Sequence, residues 1–159
     1  MENKSLKYFY LVTFISLFLD QFTKYLILNF LSPYSSFHIF KYFSLTLVKN
    51  SGVLFGLFSQ FDIRIPVIIA SVLIGIVIYT VLLKNPSVYK KIQIALGLIE
   101  GGIIGNLIDR IKYGYVIDFL NFHFWPVFNL ADTFIVSGIF LLFFAHIRSN
   151  NASSIYQNR

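Results

Sequence analysis

Four stretches of this chain, about 8–28, 65–83, 92–108 and 130–147, are long enough and apolar enough to cross a bilayer as helices. No other feature restricts the fold as much. The second opens with Pro66 in its first turn, where a missing N–H costs nothing. Hydrophobic residues make up 57% of the 159, and the nine glycines bring the apolar share to about 63%, against about 45–50% in ordinary soluble domains. A soluble globule of this size has too little interior for that surface. Disorder, a collagen-like fold and a soluble nucleic-acid binder are excluded, and no nucleic-acid partner is expected. The chain has no cysteine, which removes disulfide scaffolds, thiol nucleophiles and cysteine-ligated metals.

Four spans place both termini on one side, and the flanking cations indicate which. Tails 1–7 and 148–159 together with linker 84–91 hold seven Lys and Arg in 27 residues, whereas segments 29–64 and 109–130 hold five in 58. The denser side is expected to be cytoplasmic, so the net charge of +6 reads first as orientation and contact with anionic lipid. No small-x-small cleavage site follows Phe9–Leu19. The first segment is therefore expected to be a span of the mature protein. The whole chain, 1–159, reads as one integral membrane domain with outer segments 29–64 and 109–129. Within the first of these, Phe43-Ser44-Leu45-Thr46-Leu47 alternates with the period of a half-buried strand and leads to the turn signal Asn50-Ser51-Gly52. A small β element is expected there, at the outer interface.

Ionisable residues inside a membrane are costly, so their depth is informative. Asp20 falls about two-thirds of the way out along the first span. Asn106, Asp109 and Arg110 fall at the outer end of the third, Asn129 and Asp132 at the outer start of the fourth, and Asn50 and Asp118 in the outer segments. All collect near the outer leaflet boundary. Glu100 stands apart, two to three turns deeper. Gly97, Gly101 and Gly105 form a small-xxx-small face on the third span, which reads as close helix packing that would steady Asn106 and Asp109. Asn106 and Arg110 are four apart and share a face that could reach the loop carrying Asp118.

Each polar residue also has a structural reading. Asp20 and Lys24 stand in the favourable i, i+4 order for an ion pair. Asp109 beside Arg110 is compatible with a helix end at the interface, and Asn129 with an N-cap followed by Asp132 in the first turn. Asp118, in Tyr115-Val116-Ile117-Asp118-Phe119-Leu120, is harder to explain as solvated loop. His38, His123 and His146 are scattered along the chain and are not expected to form a ligand set. With no Cys, no Ser-His arrangement and no HExxH, nucleophilic and zinc hydrolysis lack parts. What remains is aspartate. Two carboxylates brought close share a proton, so that one can activate water while the other donates to a carbonyl. Asp118 and Asp132 are the natural pair.

Four blocks carry a family resemblance: Leu19-Asp20-Gln21-Phe22-Thr23-Lys24; Asn50-Ser51-Gly52-Val53-Leu54-Phe55-Gly56; Gly101-Gly102-Ile103-Ile104-Gly105-Asn106-Leu107-Ile108-Asp109-Arg110 continuing through Gly114 to Val116-Ile117-Asp118-Phe119; and Pro126-Val127-Phe128-Asn129-Leu130-Ala131-Asp132. In order and spacing they resemble the lipoprotein signal peptidase, or signal peptidase II, family of bacterial membrane aspartyl proteases. The resemblance implies an all-α membrane fold of four transmembrane helices with a small extracytoplasmic β cradle and a helical loop over the site. It makes Asp118 and Asp132 the catalytic dyad. It makes Asn50, Gly52, Asn106, Arg110 and Asn129 pocket residues and Asp20 and Asp109 supporting ones, with Lys24 and Ala131 in the same matched blocks. The implied reaction is endoproteolytic cleavage of a lipidated prolipoprotein signal peptide immediately before its diacylglyceryl-cysteine, without metal or cofactor. A monomer in contact with membrane lipids of the bacterial inner membrane is expected, with Arg110 meeting a lipid phosphate or substrate carbonyl. Bulky Val53 and Leu54, Ile103 and the polar Glu100 depart from the family pattern and bear on pocket volume. The rival reading is a proton-coupled carrier or channel relaying protons through Asp20, Glu100 and Asp132, which predicts ionisable residues spread through the membrane depth.

Overall fold

A computed structural model of the chain describes residues 6–52, 64–84 and 90–157. Val53 and Leu54 lie outside the described residues, and no helical loop over the site is among the described elements. The described elements run α1 (Lys7–Phe30), β1 (Ser36–Phe40), β2 (Phe43–Asn50), α2 (Arg64–Lys84), α3 (Lys90–Tyr113), β3 (Val116–Asn121) and α4 (Leu130–Gln157). All four helices are long and apolar enough to cross a membrane. Their outward faces are apolar, as lipid requires. Phe14, Phe18 and Phe22 form a stacked ladder along the exposed side of α1, with ring centroids 6.4 and 5.8 Å apart. Consecutive members are four residues apart and so share one helix face.

Helix α3 is the centre of the bundle and packs against α1, α2 and α4. Glycine makes this possible. A Cβ on Gly97 would sit 2.8 Å from the Phe9 carbonyl oxygen of α1, and one on Gly101 would run into the Ser16 hydroxyl. On the opposite flank, a Cβ on Gly102 would run into the Ala131 carbonyl of α4. The glycine face therefore packs helices as its spacing predicts. An apolar core of Phe9, Ile78, Leu82 and Ile99 joins α1, α2 and α3, and Ile103 packs against it.

The β element is larger than the alternation at 43–47 indicates. Three antiparallel strands lie in the order β1-β2-β3. The stretch that reads as apolar loop around Asp118 is the edge strand β3, paired along β2 and buried over Val116–Phe119. Ile27, Leu47, Ile117 and Phe119 form a second core that ties the sheet to the end of α1. The bonds from Phe119 N–H and Leu120 N–H to the Phe128 carbonyl, 2.9 and 2.8 Å, then hold the approach to α4 against β3.

Candidate active site

Two groups of acids, all buried except the half-buried Asp132, occupy the end of the bundle where α1 and α3 finish, α4 starts and β3 crosses. The first is built on Lys24. Its Nζ lies 2.9 Å from Asp20 Oδ2 one turn earlier on α1 and 2.8 Å from Asp109 Oδ2 on α3, and it donates to Asn106 Oδ1 at 3.0 Å. All four residues are buried. Each carboxylate also accepts a backbone N–H from another element: Asp20 Oδ1 from Ala131 in the first turn of α4 (2.9 Å), and Asp109 Oδ2 from Ile117 of β3 (3.1 Å). Gln21 Nε2, a residue the sequence reading did not single out for the site, donates to Asp20 Oδ2, Asp109 Oδ1 and the Gly105 carbonyl. Its signal was a polar residue inside a span, next to Asp20. The i, i+4 ion pair is thus present but reaches beyond its own helix, and Asp109 is an interior staple rather than a surface helix end.

The second group is Asp118 and Asp132, whose hydrogen-bond partners are neutral amides. Asp118 Oδ2 accepts from Asn50 Nδ2 at 2.9 Å, and its Oδ1 from Asn129 Nδ2 at 2.7 Å. Asp132 Oδ1 accepts from Asn106 Nδ2 at 2.8 Å. Each amide is oriented by its other end. Asn50 Oδ1 accepts the Gly52 N–H (3.0 Å), Asn129 Oδ1 accepts the Asp132 N–H (3.0 Å), and Asn106 Oδ1 faces Lys24. An oxygen that receives a backbone N–H or an ammonium cannot be exchanged for the NH2 group, so the three NH2 groups must point at the carboxylates. Asn129 and Asp132 also form a reciprocal cap on α4, the Asp132 carboxylate lying 3.4 Å from the Asn129 backbone nitrogen. The N-cap reading is therefore correct and coexists with the contact to Asp118.

Burial pushes the Asp118 carboxyl up to about 7; the negative charge of Asp132 acts in the same direction, and the amide bonds from Asn50 and Asn129 and the charge of Lys24 oppose it. Asp118 and Asp132 are near enough to feel each other's charge.

One expectation about placement changes: Asn106 reaches Asp132 rather than Asp118, because β3 presents Asp118 to Asn50 and Asn129. The cation between the buried carboxylates is Lys24. The Arg110 guanidinium donates to the Asn106 carbonyl of its own helix at 3.2 Å and is partly exposed, within electrostatic range of Asp132, Asp118 and Asp109. Ala131 contributes its backbone N–H, and its small side chain lets α3 approach. Glu100 lies away from both groups, with its Oε1 2.9 Å from where a Cβ on Gly75 of α2 would be; its Oε2 is buried without a hydrogen-bond partner among the described residues. The described acidic side chains are thus gathered at one end rather than spread in depth, apart from Glu100. An apolar cavity of about 660 Å³ adjoins the site, lined by residues including Leu26, Ile27, Phe30, Phe37, Leu45 and Phe119.

Residues 12–148 match the profile of the family described as signal peptidase (SPase) II. The chain is 45% identical to a lipoprotein signal peptidase of Caldanaerobacter subterraneus subsp. tengcongensis over 83% of its own length and 90% of that protein's. It is 36% identical to one from Psychromonas ingrahamii over 99% and 94%. Its fold is similar to that of a bacterial membrane enzyme solved at 2.3 Å by the in meso method, with a TM-score of 0.81 and 26% identity over 89% of this chain and 88% of that one.

Proposed function

The chain belongs to the signal peptidase II family, and from that membership and the site geometry we propose that it is an aspartic endopeptidase whose dyad is Asp118 and Asp132. It is a multi-pass peptidase of the bacterial inner membrane that removes signal peptides from prolipoproteins. The observation that carries the aspartic reading is the amide cradle. A buried carboxylate and a half-buried one are held by oriented neutral donors and form no ion pair among the described residues, so the pair keeps one proton at neutral pH rather than ionising twice.

In that state the ionised member takes a proton from water, and the resulting hydroxide attacks the scissile carbonyl carbon. The protonated member donates to the carbonyl oxygen. Collapse of the tetrahedral intermediate breaks the C–N bond, the amine leaves with a proton, and the pair recovers its single shared proton. Asn50, Asn106 and Asn129 hold the geometry, and Gly52 fixes Asn50 through its N–H. Arg110 orients the substrate carbonyl or lipid phosphate from the rim. Asp20, Lys24, Asp109, Gln21 and Ala131 hold the four elements that carry the site.

The bond cut is the one before a diacylglyceryl-cysteine. Both termini lie in the cytoplasm, which places the dyad at the outer leaflet boundary. Water reaches it there, while the substrate's acyl chains stay in lipid and meet the apolar wall beside β3. The 159 residues act as a single domain and a monomer.

The test incubates purified protein in detergent with a diacylglyceryl-modified peptide and identifies products by mass. Wild type should release a fragment beginning with the lipidated cysteine, while folded Asp118→Asn and Asp132→Asn should release about a hundredth as much or less. Full activity in either variant, or a cut elsewhere, overturns the reading.

A further inference from the structure

Three histidines far apart in sequence do not suggest a ligand set, yet the fold brings two of them together on the sheet. In the register of the strands, His38 of β1 stands opposite Ser44 of β2, and Ser44 opposite Asn121 of β3. His123 follows two residues later. Its backbone turns at φ 29°, a left-handed conformation uncommon outside glycine, and its N–H is held by Asn121 Oδ1 at 3.0 Å. The His123 ring thereby comes edge-on to that of His38, with centroids 5.9 Å apart. Both residues are exposed.

We propose that His38 and His123 form a two-imidazole site for a divalent first-row transition metal of the Zn2+, Ni2+ or Cu2+ type. Metal–nitrogen bonds of about 2.0–2.1 Å around a tetrahedral ion put two ring centroids about 5.2 Å apart. The rings are within a fraction of a side-chain rotation of that spacing. The surroundings of His123 are those of an oriented ligand. Its Nε2 is 3.1 Å from Ser44 Oγ, which is 3.1 Å from Thr46 Oγ1, and Thr46 Oγ1 in turn receives Asn121 Nδ2 at 3.1 Å. In the tautomer that donates Nε2–H to the buried Ser44 hydroxyl, the lone pair sits on Nδ1, in the way a hydrogen bond on one ring nitrogen sets the other for coordination. Imidazole donors select Zn2+, Ni2+ and Cu2+ over Mg2+ or Ca2+. Among the described residues no group of three or more His, Cys, Asp or Glu is arranged to hold a metal. The protein therefore supplies two ligands and water the rest, and a bound ion would pin the exposed strand β1 to the loop after β3. The site is separate from the Asp118–Asp132 pair and does not rest on the protease reading.

Titrating tag-free protein in detergent with Zn2+ calorimetrically should show one equivalent bound by wild type. Affinity should fall about tenfold or more in His38→Gln and in His123→Gln, and should be unchanged in His146→Gln and in Asp118→Asn. Cu2+ electron paramagnetic resonance of the wild type alone should show two equatorial nitrogens, a readout that depends on no variant folding. Undiminished Zn2+ affinity in either His38→Gln or His123→Gln, loss of binding in Asp118→Asn, or a Cu2+ spectrum without two nitrogens overturns the proposal.

Discussion

The two groups of aspartates are a natural controlled comparison, with the same side chain and the same end of the bundle but different partners. Asp20 and Asp109 face an ammonium, and each adds a backbone N–H, so their charges are compensated and they join α1, α3, α4 and β3. Asp118 and Asp132 face amide NH2 groups, each with its orientation fixed from behind. An adjacent ammonium offsets carboxylate charge directly, whereas neutral amide donors leave a charged pair without a counterion. Asn106 joins the groups, taking Lys24 on its oxygen and giving its NH2 to Asp132. The first group therefore builds the platform on which the second works.

The sharpest break in that comparison is to remove the cation. Lys24→Met should leave two buried carboxylates uncompensated and destabilise the fold by about 3–5 kcal/mol, read as a large drop in the detergent melting midpoint. A small drop would mean that Lys24 is not the keystone. Asn129→Ala cuts across both groups, because it removes the α4 cap and one donor to Asp118. It should cost about 2 kcal/mol of stability and lower the cleavage rate as well, whereas a variant that loses stability but keeps its rate would separate cap from cradle.

Proton linkage gives a smaller but more discriminating signal. Asp118 is raised to about 7 from 3.8, so the folded state binds more protons than the unfolded state between those values and loses stability as pH rises through the interval. Replacing it by Asn removes that loss. The stability of Asp118→Asn relative to wild type should rise with pH between about 4 and 7, by at most about 1.4 kcal/mol per unit, and should be flat outside the interval. A difference flat throughout would mean that Asp118 titrates like an exposed acid. The smallest effect should come from Glu100→Gln, which lies outside both groups and should leave the cleavage rate unchanged within error. A marked loss would bring the deep acid into the reaction.

Much of this arrangement is legible in the sequence because it is periodic or local. The apolar runs give four helices whose starts agree with α1 to α4 within two residues, although α3 continues to Tyr113 and α4 to Gln157. The i, i+4 order gives the Asp20–Lys24 pair, and Asn129 with Asp132 gives the cap. Long-range closure is what the sequence hides. Strand β3 is a short apolar run whose pairing depends on β2 lying beside it, and nothing local to Lys24 announces Asp109. Ala131 acts through a backbone N–H that every residue but proline has. His38 and His123 meet through strand register and one left-handed residue, and neither is visible as spacing.

The central claim is that the amide-held pair keeps a proton at neutral pH. Infrared difference spectroscopy of wild type against Asp118→Asn, stepped from about pH 5 to about pH 8.5, reads this directly. A protonated carboxyl C=O band present in wild type, absent from the variant and disappearing with a midpoint near 7 is the predicted result. A wild-type spectrum with no such band at any pH above about 5 would contradict it.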